Sequence, residues 1–157
     1  MKLMGTIRKS GFQDCDAIYA LVCDMENKVL PYEAFRQIYS AQLTSGNYTC
    51  LVFVEDGDVV GCLNLRMEAQ LHHAGKVCEA MELAVREDCR GKGIGRQLFD
   101  AACSWARNNG GGQIELCCNQ LRTRAHKFYA SCGMHNFHYK FSLNFASPDD
   151  DTNVLGR

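Results

Sequence analysis

An α/β chain with the element order β-α-α-β-β-β-α-β-α-β is the fold class that this sequence predicts. Three observations carry the prediction. Apolar residues recur at helical spacing in four stretches and alternate along the stretches between them. Asp56-Gly57 stands between two apolar runs, a strong short-range sign of a hairpin. Residues 81–99 read as a strand, a glycine-rich turn and the start of an amphipathic helix. At 157 residues the chain is expected to form one domain, 1–146, followed by a polar, flexible tail at 147–157.

Leu3 with Thr6-Ile7-Arg8 suggests a first strand. Phe12, Cys15, Ile18, Tyr19, Val22 and Cys23 then follow a helical period, predicting a helix to Met25. A second helix is expected from Pro31, because proline suits a first turn; it carries Phe35, Ile38, Tyr39 and Leu43 and stops near Ser45-Gly46-Asn47. Tyr48 to Glu55 and Val59 to Met67 form the hairpin. The polar run from Gln70 to Lys76 interrupts, and a central strand resumes from Val77 to Arg86. After the glycines a helix runs to Asn108 and ends at Asn109-Gly110-Gly111-Gly112. Ile114 to Cys118 reads as a strand, with Cys117 and Cys118 pointing to opposite faces. Thr123 to Ser131 reads as a helix, and Phe137 to Phe145 as a last strand.

Composition excludes several functions. A formal net charge of −1 gives no footprint for nucleic acid or an anionic membrane. No apolar run approaches the roughly 20 residues of a spanning helix, and the N-terminus lacks the apolar core of a signal peptide. The ten cysteines contain no Cys-x-x-Cys pair and fall mostly inside apolar patterned segments, so they read as small buried hydrophobes in a reducing cytoplasm.

The chemistry concentrates at Arg90-Gly91-Lys92-Gly93-Ile94-Gly95-Arg96. Glycines let a backbone turn tightly and approach a ligand closely. The free N–H groups and positive dipole end of the following helix suit an anion such as a pyrophosphate, with Arg90, Lys92 and Arg96 adding cationic charge. No Walker lysine-serine pair follows Gly95, and the glycines lie too far along the chain for a dinucleotide-binding first turn. The run resembles the (Q/R)-x-x-G-x-(G/A) signature of the GNAT N-acetyltransferases. Asn119, then Ala125-His126-Lys127-Phe128-Tyr129 and Cys132-Gly133-Met134, resemble that family's second landmark at the expected separation.

The resemblance implies the family's mixed central sheet flanked by helices, with acetyl-CoA as cosubstrate. It implies that Leu83, Ala84 and Val85 hold the pantetheine arm by main chain, that Arg90 to Arg96 take the pyrophosphate, and that Asn119 and Phe128 belong to the cofactor site. Tyr129 matches the family's tyrosine beside the thioester sulfur; a neutral phenol can hydrogen-bond or protonate the departing thiolate. For the general base, Glu79 and Glu82 lie on the thioester strand, one on each face if alternation is unbroken, and Glu79 is the first choice. His72 and His73, where the chain enters that strand, could serve as base, metal ligand or anion partner, or be a plain exposed loop pair.

Leu71-His72-His73, Glu79-x-x-Glu82-Leu83-x-Val85, Asp16 to Leu21, Ala34-Phe35-Arg36 and Ala125 to Tyr129 are similar to the aminoalkylphosphonate N-acetyltransferases. That resemblance implies a small amine bearing a phosphonate, for which His73, Arg36, Arg66 and Lys140 are candidate partners, with Tyr32, Phe35 and Tyr39 as candidate cleft-lining residues. A bridging divalent ion would serve the same end. Other amine acceptors are an aminoglycoside, a polyamine, an amino acid or a protein amine; a non-catalytic coenzyme A sensor is the reading from another class. The family also makes a homodimer an expected partner state, with no interface legible in the sequence.

Overall fold

The computed structural model describes residues 4–145, so the expectations for Leu3 and for the 147–157 tail fall outside it. The chain divides into two compact units after Leu116.

The first unit is a five-stranded sheet, in spatial order β1-β2-β3-β4-β5, with helices on both faces. β1 is Gly5–Lys9, β2 Tyr48–Glu55, β3 Asp58–Gln70, β4 Gly75–Val85 and β5 Gly111–Glu115. The first four strands pair antiparallel, and β5 joins β4 in parallel. The predicted hairpin is β2–β3; Asp56 and Gly57 both take positive φ (50° and 84°), the primed-turn geometry whose twist matches the strands. A single 3-10 turn, Leu71–His73, carries the chain from β3 to β4.

Helices α1 (Cys15–Glu26) and α2 (Tyr32–Thr44) cover one face; α3 (Ile94–Asn108) covers the other. Against α1 and α2 lie Cys50, Val52, Cys62 and Ala84; against α3 lie Phe53, Leu63, Leu65, Cys78 and Ala80. Phe53, Leu63, Leu65 and Leu98 are fully buried, each burial contributing about 1.5–3 kcal/mol. The seat of α3 depends on one glycine. A Cβ at Gly61 of β3 would stand 3.1 Å from both Ile94 and Leu98, so the bare backbone there lets the first turns of α3 pack down on the sheet. On the other face Arg8 of β1 grips buried Asp14 with two bonds (2.7 and 2.9 Å), and the Gly11 N–H donates to the same carboxylate at 2.8 Å. Tyr39 of α2 donates to the Gly11 carbonyl at 2.7 Å, tying β1, α1 and α2 together.

The second unit holds α4, Thr123–Ser131, with the predicted bounds. Two expectations are corrected. The strand placed at Ile114 to Cys118 begins earlier, at Gly111, and ends at Glu115, so Cys117 and Cys118 are not strand residues with opposed faces. Gly111 and Gly112 continue the fold because a Cβ at Gly111 would press on the Ala106 carbonyl (3.0 Å) and Met67 (3.2 Å). The final strand over Phe137 to Phe145 is also absent among the described residues. Phe137, Tyr139, Phe141, Leu143 and Phe145 do alternate, but all five are exposed and the stretch enters no ladder. Alternation supplies a face; a strand also needs a neighbour for its N–H and C=O groups.

All ten cysteines are free thiols; five are buried and Cys117 is exposed. Among the described residues no helix is long and apolar enough to cross a membrane.

Candidate active site

The glycine turn is built by backbone. A 3-10 turn, Glu87–Cys89, leads from β4 to Arg90, after which Gly91 (φ 74°) and Gly93 (φ 84°) occupy the left-handed region that other residues resist. Gly93 caps α3, whose first residue, Ile94, is buried. The first N–H groups of α3 have no acceptor within the helix, which with the positive end of its dipole suits an anion. Arg90 does not point freely outward. Its Nε donates to the Val85 carbonyl at 2.9 Å, and its Nη2 to Asp24 of α1 at 2.8 Å. Arg96 pairs with Asp100 one turn on, and Lys92 is exposed.

β4 leads into this turn with one open edge. On its β3 side the pairing continues to Val85, opposite Gly61. On its β5 side the pairing runs only from Lys76 to Glu79. From Ala80 to Val85, then, the strand offers its peptide groups to no ladder partner on that side among the described residues. That stretch contains Leu83, Ala84 and Val85.

A bulge decides where the carboxylates point. Asn64 of β3 faces Glu82, but the next residue, Leu65, faces Ala80, leaving Met81 as an extra residue in β4. Glu82 lies two residues from Ala84, which packs against α1 and α2. Glu79 lies between Cys78 and Ala80, which pack against α3, so it too turns to the α1–α2 face. The expectation of opposite faces is thereby corrected: both carboxylates share one face, because the bulge resets the alternation.

Their environments differ. Glu79 accepts a 2.6 Å bond from Nη2 of half-buried Arg66, with Glu68 at 3.9 Å from the same nitrogen. Arg66 Nε is buried without a hydrogen-bond partner. Glu82 receives no cation; it accepts one bond, 2.9 Å from Asn64 Nδ2. Burial pushes its proton affinity above the ordinary carboxylate range, Asn64 opposes the rise, and Glu26 and Glu79 add to it. The other hydrogen of the Asn64 amide goes to Gln42 of α2, also at 2.9 Å. Gln42 and Asn64 line a small cleft of about 100 Å³ together with Lys9, Tyr39, Tyr48 and Cys50. Burial pushes Cys50 up to about 12, which leaves that thiol protonated and unreactive.

Sequence reasoning did not single out Asn64 or Gln42. The available signal was polar Asn64 and Arg66 in step with buried Cys62 on one face of an otherwise apolar strand.

Tyr32 and Phe35 belong to an aromatic column on the helix pair. Tyr19 meets Tyr32 edge-on at 5.1 Å and Phe35 at 5.2 Å, and Phe35 stacks near Tyr39. Tyr32 donates its hydroxyl to Asp16, so this column is chiefly packing. His73 is exposed on the 3-10 turn, its ring 4.3 Å from that of His72. Among the described residues no three His, Cys, Asp or Glu side chains gather as a metal centre.

In the second unit, Asn119 Oδ1 accepts from the Leu121 N–H (2.8 Å) and its carbonyl meets His126 Nε2 (2.8 Å), an arrangement that starts α4. Phe128 and Tyr129 are half-buried, with ring centres 5.2 Å apart. Burial, with the Cys118 and Cys132 thiols nearby, raises the Tyr129 phenol above its usual value, so it keeps its proton through the neutral range.

Comparison with known proteins agrees with this arrangement. The model of the Acetyltransferase (GNAT) family matches residues 15–134. The chain is 37% identical over 136 residues to the aminoalkylphosphonate N-acetyltransferase of Salmonella typhimurium, covering 87% of this chain and 88% of that protein. The glucosamine-6-phosphate N-acetyltransferase of Arabidopsis thaliana shares the fold at a TM-score of 0.78 and 21% identity, over 91% of this chain and 99% of that one. An aminoglycoside N-acetyltransferase solved with coenzyme A does so at 0.81 and 15%, over 89% and 93%. A glycine turn capping a helix, fed by a half-open strand, in a mixed α/β sheet that the family model matches over most of its length: on these grounds the chain belongs to the GNAT family and is an acetyl-CoA-dependent N-acetyltransferase.

Proposed function

We propose that the protein acetylates the primary amine of a small aminoalkylphosphonate, with residues 1–146 acting as one domain. The observation that carries the choice of acceptor is the 37% identity, along nearly the whole chain, to an enzyme named for that substrate class. Arg66, short of one acceptor at Nε, and exposed His73 are the cationic and imidazole groups available to a phosphonate. Tyr32 and Phe35 contribute the apolar wall of the acceptor site.

The open edge of β4 from Ala80 to Val85 binds the pantetheine amides, and the 90–96 turn takes the pyrophosphate; Asn119 and Phe128 are assigned to the coenzyme by their motif. Glu82 is the general base in this reading. Burial raises its proton affinity and no cation pairs with it, whereas Glu79 is bonded to Arg66. Glu82, directly or through one water, takes a proton from the acceptor ammonium. The free amine attacks the thioester carbonyl, a C–N bond forms, the added nitrogen sheds its second proton to solvent, which later restores the proton that Tyr129 gives up, and the C–S bond breaks. The departing thiolate takes its proton from Tyr129, a role that rests on the motif and on a phenol that stays neutral.

Two measurements test this. Thiol release should be fast with aminomethylphosphonate and 1-aminoethylphosphonate and slow with spermidine, an aminoglycoside or glutamate, each run with a divalent metal and with a chelator. Turnover confined to another amine would discard the phosphonate and keep the transferase. Tyr129→Phe should lower kcat about 100-fold while leaving the acetyl-CoA Kd unchanged. Unaltered kcat would remove the acid role.

A further inference from the structure

We propose that Asn64, held in one orientation by Gln42 of α2, is the positioning residue that aims and tunes the Glu82 carboxylate for proton abstraction. The inference rests on the reading of Glu82 as the base and names a residue that reading does not need.

The geometry leaves the Asn64 amide little choice. Both hydrogens of its Nδ2 are used, one toward Gln42 Oε1 and one toward Glu82 Oε2, each at 2.9 Å. Turned over, the amide would present its own oxygen to two acceptors, so the two partners fix which end faces Glu82. The Gln42 acceptor comes from a helix and Asn64 from the adjacent face of the sheet. The carboxylate is thus referenced to both the sheet and the α1–α2 layer of the first unit.

Charge around Glu82 makes this bond matter. α1 brings Glu26, β4 brings Glu79, β2 brings the Cys50 thiol, and β3 brings Cys62 together with Arg66, whose Nη2 is bonded to Glu79. From α2 the contribution is the neutral Gln42. Nearly every group facing Glu82 opposes its ionisation, and the Asn64 N–H is the group that favours it. A hydrogen bond to a charged group moves its midpoint by roughly one to two pH units. Without it Glu82 would be protonated, and idle, over more of the working range.

The sign follows. Removing the donor raises the Glu82 midpoint and moves the acid limb of the rate profile to higher pH.

The test records the pH profile of kcat/KM and, separately, the titration of Glu82 by carbon NMR of glutamate-labelled protein. Asn64→Leu keeps the volume and removes the donor; it should move both the limb and the Glu82 midpoint up by about one unit. Gln42→Met leaves Asn64 in place but frees its orientation, and should move both in the same direction by less. It also serves if Asn64→Leu fails to fold. A Glu82 midpoint unmoved in both variants overturns the positioning role, whatever the rates do. An acid limb that survives in Glu82→Gln overturns the base itself, and the positioning of a base falls with it. Loss of the limb in Glu82→Gln, with upward shifts in the other two variants, is the result expected.

Discussion

Gly93→Asp is expected to weaken acetyl-CoA binding by at least about 100-fold while leaving the fold intact. A Cβ at Gly93 meets nothing within 4 Å, so the protein itself has room for a side chain. The cost arises in two other ways. The residue sits at φ 84°, where an L-residue is disfavoured by about 1–2 kcal/mol. Aspartate is ordinarily a good helix cap, but a cap needs extended backbone, and at this left-handed position its carboxylate cannot turn back on the α3 N–H groups. It lies instead where an anion is to bind, and repels it. Gly93→Ala separates the two effects, since it carries the strain without the charge and should bind only several-fold more weakly. Calorimetric titration with acetyl-CoA, beside a thermal melt of each variant, makes the comparison. Wild-type affinity in Gly93→Asp would overturn the assignment of the turn.

Glu82→Gln should lower kcat/KM on the preferred amine by about 100-fold or more and flatten the acid limb of its pH profile. The limb of the wild type should lie above the ordinary glutamate range, because burial raises the carboxyl and the rate falls as pH drops through that raised midpoint. Glu79→Gln is the informative contrast. It removes the charge 2.6 Å from half-buried Arg66 and leaves the guanidinium only Glu68 at 3.9 Å, so stability and KM should suffer while the acid limb persists. If Glu79→Gln were the variant that lost the limb, the two carboxylates would exchange roles.

How far these residues could be read from sequence differed by kind. The Asp56-Gly57 turn, the α4 bounds and the glycine turn were legible because each rests on local chemistry: residues suited to positive φ, a helical period, a backbone free to turn. Glu79 and Glu82 were legible as candidates, but their facing was not. It depends on Met81 being left out of the ladder, a property of two strands meeting rather than of either alone. Asn64 and Gln42 were illegible for a related reason, being 22 positions apart in the chain and joined only once α2 lies on β3. Phe137 to Phe145 failed in the opposite sense. Its pattern was a strand's, and pattern is silent on whether a neighbour is there to pair with.

The extra residue at Met81 has a consequence for how this site can vary. Two carboxylates three positions apart can share one side of a strand only while an odd residue stands between them and is left uncounted by β3. The facing is therefore written in the register of the ladder more than in composition at that point. Another side chain at position 81 changes local packing, and removing the residue leaves the carboxylates two positions apart and still on one face, whereas drawing Met81 into the ladder would turn Glu79 away from both Arg66 and Glu82. A change of side chain and a slip of register here act on different properties of the enzyme.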